Sequence, residues 1–326
     1  MNKLTIGIIF SLLLPFNILL AQDAKVLFQE IRWKQGNSQE KKKATELLWE
    51  RVKYKIQQAA WEGALNDLDK LHLMDSSDHW LYAVRARVYE NTYHPLEALN
   101  DYRRALVLGG DSTLMLTGMA QSALYLDRYD VALVYLTEAI EYGEKDWSLF
   151  SQRGKVYVQL MRYEAAERDF EQAVMLNPDA DEVWYHRASL AVGKKEYQKA
   201  LGFIANARHL SPEKMEYAIM EALILGEAGD LHWAVNSYSS LLERDPVNLV
   251  VLNNRALLYM KMNRFTKAMA DIEKAIRLAP EQPDLYLSRG LIKEFQFDFE
   301  GACQDWLKAS ELGSKEAENY FYDDCR

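Results

Sequence analysis

Residues 147–180 read WSLFSQRGKVYVQLMRYEAAERDFEQAVMLNPDA, and this stretch decides the fold. Ala165, Ala166, Phe170, Ala173, Val174 and Leu176 recur at the spacing of one helix face. Pro178 follows them; it has no N–H to give an i→i−4 bond and cannot sit in a helix interior, so it marks where that helix stops. Gly154, Ala166 and Ala173 are small where two helices must approach closely, while Phe150, Tyr157 and Tyr163 supply bulk between helix pairs. The stretch therefore predicts two helices of about 14 residues joined by a short turn.

Working outward, Ala166 is one of a series: Ala64, Ala98, Ala132, Ala166, Ala200, Ala234, Ala268 and Ala302, each 34 residues from the next. Eight hits in one phase arise by chance with a probability on the order of one in a million, so the period is a property of the fold. Twelve residues before each anchor alanine stand Val52, Ala86, Ala120, Gly154, Ala188, Ala222, Ala256 and Gly290. Seven after it stand Leu71, Ala105, Ala139, Ala173, Ala207, Leu241, Ala275 and Ala309. Three before it stand Trp61, Pro95, Tyr129, Tyr163, Tyr197, Leu231, Phe265 and Phe299. Pro178, Pro212, Pro246 and Pro280 close the middle units; Ser76, Gly110 and Glu144 stand in that place in the first three.

This pattern resembles the tetratricopeptide repeat family, with Phe150, Gly154, Tyr157, Ala166, Phe170, Ala173 and Pro178 all in its register. The resemblance implies an all-α, right-handed α-solenoid of eight tandem repeats over residues 45–314. A C-terminal capping helix over 315–326, carrying Tyr320, Phe321 and Tyr322, would cover the apolar end that every such array exposes. At the other end, residues 22–44 are expected to form an N-terminal cap segment around Val26, Leu27, Phe28 and Ile31.

Residues 1–21 have the layout of a secretory signal: Lys3, an uncharged run from Leu4 to Leu20, then Ala21 as a small residue for cleavage. Cleavage would leave an exported, periplasmic or extracellular protein with no membrane span. The alternative is a retained anchor that faces the same side. Both cysteines, Cys303 and Cys325, flank Gly313 at comparable distances; a chain that folds back there brings them level, so an oxidising compartment would pair them. Two unrelated thiols is the other reading.

Composition narrows the function. A net charge of −9 disfavours a nucleic-acid partner, which needs a basic face. His72, His79, His94, His186, His209 and His232 show no metal-ligand spacing, and no Gly-rich phosphate loop or nucleophile elbow is present. No catalytic residue, metal or small-molecule cofactor is expected.

The resemblance implies a binding surface along the first helix of each hairpin, at the positions fifteen and eleven residues before the anchor. These read Trp49/Lys53, Ala83/Arg87, Thr117/Gln121 and Ser151/Lys155, then Tyr185/Ser189, Ile219/Leu223, Asn253/Leu257 and Leu287/Leu291. The first four pairs are polar and partly basic and the last four mostly apolar, which suggests a two-part groove for a protein or extended peptide. The lysine and asparagine clamp with which some family members grip chaperone tails is not present as a complete set. A solvated, structural role for the same residues, a permanent subunit of an envelope or secretion complex, and an enzyme with a site on this face are the competing readings.

A second recurrence reads as scaffolding. Arg51, Arg85, Arg153, Arg187, Arg255 and Arg289 stand thirteen residues before the anchor, and Asp67, Asp101, Asp169, Asp271 and Asp305 three after it. Positions on the two arms of one hairpin face each other, so these are expected to form ion pairs within repeats.

Overall fold

The computed structural model describes residues 39–143 and 145–325, and these contain seventeen helices and no strand. The expected signal at 1–21 and most of the expected cap segment, including residues 24–33, lie outside the described residues. The helices belong to two compact units, residues 39–162 and 163–325.

The first unit holds α1 (Gln39–Gln57), α2 (Trp61–Met74), α3 (His79–Asn91), α4 (Pro95–Val107), α5 (Ser112–Tyr125), α6 (Tyr129–Tyr142) and α7 (Trp147–Gln159). The second holds α8 (Tyr163–Leu176), α9 (Asp181–Gly193), α10 (Tyr197–Leu210), α11 (Met215–Ala228), α12 (Leu231–Arg244), α13 (Leu249–Lys261), α14 (Phe265–Leu278), α15 (Pro283–Phe295), α16 (Phe299–Glu311) and α17 (Lys315–Asp324). Every residue three before an anchor alanine is the first residue of a second helix, and the second helices of the middle repeats stop two residues before their prolines. One boundary moves: α1 begins at Gln39, so residues 39–44 belong to the first repeat helix rather than to a separate cap. Their polar run, Gln-Glu-Lys-Lys-Lys, has good helix formers but no apolar stripe to announce them.

All eight anchor alanines are 0% exposed, which is why nothing larger occupies the place. Opposite the small residues, four positions after the anchor, stand Leu68, Tyr102, Leu136, Phe170, Ile204, Tyr238, Ile272 and Trp306, all buried. Side chains of very different volume share this register, so small partners must compensate. Gly290 is the extreme case: a Cβ there would meet the Trp306 indole at 2.3 Å.

Asp78, Asp111, Asp146 and Asn248 cap α3, α5, α7 and α13 by accepting from backbone N–H groups of the first turn. The turns inside the hairpins repeat as closely as the alanines. Five residues before each anchor the backbone is left-handed, at Ala59, Tyr93, Asp127, Met161, Lys195, Gly229, Asn263 and Phe297. One of these eight is glycine, so the others carry a cost that glycine would avoid. In each, the N–H of the next residue bonds the carbonyl five residues back, as His94 to Tyr89 and Arg264 to Tyr259, both within 2.9 Å. That Schellman closure satisfies carbonyls the helix end would leave orphaned.

The recurring arginines do more than pair inside hairpins. Arg85, Arg255 and Arg289 make two-pronged contacts with Asp101, Asp271 and Asp305, with Nε–Oδ2 distances of 2.7, 2.7 and 2.9 Å. Arg51 meets Asp67 at 3.2 Å. Burial alone would push the Asp67 carboxyl up; hydrogen bonds from Lys55 and Lys70, with the charges of Lys55 and Arg51, outweigh it and hold it below the usual range. Several of these arginines also reach the preceding hairpin: Arg85 to Asp69, Arg153 to Thr137, Arg187 to Glu171 and Arg255 to Ser239. In the repeat where Phe203 replaces the aspartate, the Arg187 guanidinium lies 4.2 Å from the Phe203 ring centroid, a cation–π contact in place of the ion pair.

The chain end is fixed by covalent and aromatic contacts. Cys303 on α16 is disulfide-bonded to Cys325 just past α17, with a Cα–Cα distance of 5.7 Å. Trp306 stacks on Tyr320 with ring centroids 5.2 Å apart, and Ala317 of α17 is wholly buried.

Candidate peptide-binding faces

Within each unit the first helices of consecutive hairpins touch one another directly: α3 and α5 in the first, α9 and α11, α11 and α13, and α13 and α15 in the second. Among the described residues no two second helices meet to that extent. A stack whose first helices lie closer than its second helices bends toward the first, so they line the inner side.

Of the two expected lines of inner-face residues, the structure divides one and leaves the other accessible. Eleven residues before the anchor, Lys53, Arg87, Gln121 and Lys155 in the first unit and Ser189, Leu223, Leu257 and Leu291 in the second are all half-buried. Fifteen before it, Ala83, Ser151 and Leu287 are buried. Trp49, expected on the binding surface, is 4% exposed and sits in the core cluster with Val52 and Leu68. A large apolar indole gains more from that burial than from facing water. Tyr185, Ile219 and Asn253 remain half-buried. Tyr185 packs on Tyr217 at 5.3 Å between centroids, and burial pushes its hydroxyl up to about 12.

The first unit also contains a polar cluster that the register conceals. Glu90 occupies a place filled by Ile56, Leu124 and Val158 in the other repeats of that unit. Its side chain is 5% exposed, and its Oε2 accepts from the Tyr102 hydroxyl at 3.0 Å and from Arg87 Nη1 at 3.2 Å. Its Oε1 is buried with no hydrogen-bond partner. Burial pushes the Glu90 carboxyl up to about 7 despite the charge of Arg87 and the Tyr102 hydroxyl. Tyr102 is pushed well up by burial first and by the Glu90 charge second. Tyr102 in turn fits because α5 carries Gly118, where a Cβ would meet its ring at 2.4 Å. The signal in the sequence was there: a carboxylate and a phenol together at two places that are otherwise apolar in that unit.

His72, Asp75, Asp78 and His79 lie near one another in sequence but have local duties. His72 Nδ1 meets the Tyr82 hydroxyl at 3.2 Å, Asp75 accepts from Ser77, and Asp78 caps α3. No helix among the described residues is long and apolar enough to cross a membrane.

Comparison with known proteins agrees with this architecture. The tetratricopeptide repeat family profile matches residues 151–214 and, separately, 250–282. Human tetratricopeptide repeat protein 6 is 25% identical over 270 residues, 81% of this chain and 52% of that protein. The Hsp70-Hsp90 organizing protein of Triticum aestivum is 23% identical over 215 residues, 55% of this chain and 37% of its own length. The matches thus span about a third to a half of the length of these two relatives. Among solved structures, a tetratricopeptide repeat protein from Parabacteroides merdae superposes with a TM-score of 0.68 at 21% identity, over 76% of this chain and 98% of that one. Yeast Tom70 does so with a TM-score of 0.60 at 19% identity, over 92% and 70%. Proteins of this kind generally work by binding other proteins. The alanine register, the order of the helices and these likenesses make the protein an all-α solenoid that carries tetratricopeptide repeats at residues 151–214 and 250–282.

Proposed function

We propose that this protein is a non-catalytic scaffold that holds a protein or extended peptide along the inner side of its first helices. The observation that carries the reading is that, within each unit, every residue eleven before an anchor is partly accessible. In the first unit it presents Lys53, Arg87, Gln121 and Lys155, suited to acidic side chains or a terminal carboxylate. In the second it presents Leu223 and Leu257, with Ile219, Tyr185 and Asn253 beside them, suited to apolar side chains. We also propose that the protein is exported, since the Cys303–Cys325 disulfide fits an oxidising compartment and agrees with the apolar run from Leu4 to Leu20.

The test is selection from a library of free decapeptides by the full chain and by a Lys53→Glu, Arg87→Glu, Lys155→Glu variant. The wild type is expected to enrich acidic peptides, and the variant to bind them about tenfold or more weakly, because three attractive charges become repulsive. Equal binding by both would remove the basic face. Recovery of the protein only in stoichiometric complexes would favour a permanent structural subunit instead.

A further inference from the structure

Arg87 belongs to two environments at once. Its side chain is 22% exposed on the line proposed above to meet an acidic ligand, and its Nη1 donates to the buried Glu90 carboxylate. We propose that capture of an acidic peptide at Arg87 is coupled to uptake of a proton by Glu90, so that the first unit binds such a peptide more tightly as the pH falls through neutrality. This rests on the basic-face reading and adds a regulation to it.

The geometry supplies the coupling. The charged and titratable groups facing Glu90 are Arg87 on its own helix, Tyr102 from α4 and Tyr125 from α5. Arg87 is the cation among them, so a ligand carboxylate that approaches it adds a second anion beside a buried one. Two carboxylates around one guanidinium favour the neutral form of the less solvated. Glu90 is that one, because its Oε1 is buried and no protein donor supports a charge there. Read the other way, a neutral Glu90 no longer offsets the Arg87 charge, and the ligand meets the whole of it. Linkage requires the two effects to be equal in size.

Burial already holds the Glu90 proton up to about 7 without ligand. The ordinary carboxyl value is 4.5, so the stability this group contributes is full below that and is lost as the pH rises through about 7. Neutral pH is therefore where a small push from a ligand changes its charge.

The probe is a fluorescein-labelled hexaglutamate peptide with a free carboxyl terminus, bound to the full chain at pH 6 and pH 8 at constant ionic strength. Wild type is expected to bind about three- to tenfold more tightly at pH 6, since each unit by which the ligand raises the Glu90 pKa can supply at most tenfold. Calorimetry in two buffers of different ionisation heat should show proton uptake on binding near pH 7.5. Glu90→Gln keeps the shape and an acceptor for Tyr102, and should bind equally at both pH values with no uptake. Tyr102→Phe removes one donor to the carboxylate and should move the midpoint to higher pH. A Glu90→Gln variant that keeps the wild-type slope and uptake would overturn the coupling and leave the basic face standing. No binding at either pH, unchanged by reversing Lys53, Arg87 and Lys155, would overturn both.

Discussion

Gly290→Ala is expected to destabilise the second unit by about 3 kcal/mol, a large loss for one methyl group. On helix propensity alone the change should help, since alanine exceeds glycine by about 1 kcal/mol in a helix interior. Packing reverses the sign. The added Cβ would lie 2.3 Å from Trp306 Nε1 and 2.6 Å from Cδ1, inside any tolerable contact. The indole cannot retreat cheaply, because it is 1% exposed and stacked on Tyr320 of the terminal helix. Gly202→Ala is the matched control: its Cβ would have nothing within 4 Å, and a gain of up to about 1 kcal/mol is expected. Urea denaturation followed by circular dichroism measures both. Trp306→Leu in the Gly290→Ala background should recover part of the loss, because smaller and larger partners at this contact are coupled. Equal effects at Gly290 and Gly202 would show that the close approach is not what that glycine serves.

Reducing the Cys303–Cys325 disulfide is expected to cost about 3 kcal/mol of protection at the chain end, the usual size for a loop of this length. The bridge closes a separation of 22 residues and ties the ten-residue α17 to α16. A helix that short is marginal alone and depends on its contacts. Those contacts are the buried Ala317, the Trp306–Tyr320 stack and the bridge itself. Hydrogen exchange should show residues 315–325 losing protection in reductant or in Cys303→Ser, while residues 197–278 keep theirs. Unchanged exchange at 315–325 would mean that packing alone holds the helix. In the oxidised native protein no thiol should react; two should appear after reduction.

Much of the architecture could be read from residues because the constraint at each anchor is steric and local. A wholly buried contact between helices tolerates alanine and little else, so it writes itself into the chain every 34 residues. The disulfide was legible for a similar reason: two cysteines at comparable distances from a glycine turn. What escaped had no such simple signature. Five of the eight left-handed turn residues, Ala59, Tyr93, Met161, Lys195 and Phe297, have no tendency toward that conformation, which the hairpin imposes. The arginines were expected to serve one hairpin, and their reach to the preceding one depends on stacking that spacing does not give. Trp49 shares a register with the half-buried Tyr185, Ile219 and Asn253 but is buried, as Ala83, Ser151 and Leu287 are, since register fixes direction and not depth. Glu90 ran against the expectation that buried places are apolar, and Tyr102 with Gly118 made room for it.

The binding faces rest on one geometric claim: the ligand lies against the first helices. Photo-crosslinking tests it most directly, with p-benzoylphenylalanine placed in the full chain at Gln121 on α5, or at the exposed Val107 on α4 and Val134 on α6. The account predicts adducts with an acidic peptide from position 121 and none above background from 107 or 134. Crosslinking from 107 or 134 and not from 121 would place the ligand on the second helices and contradict it.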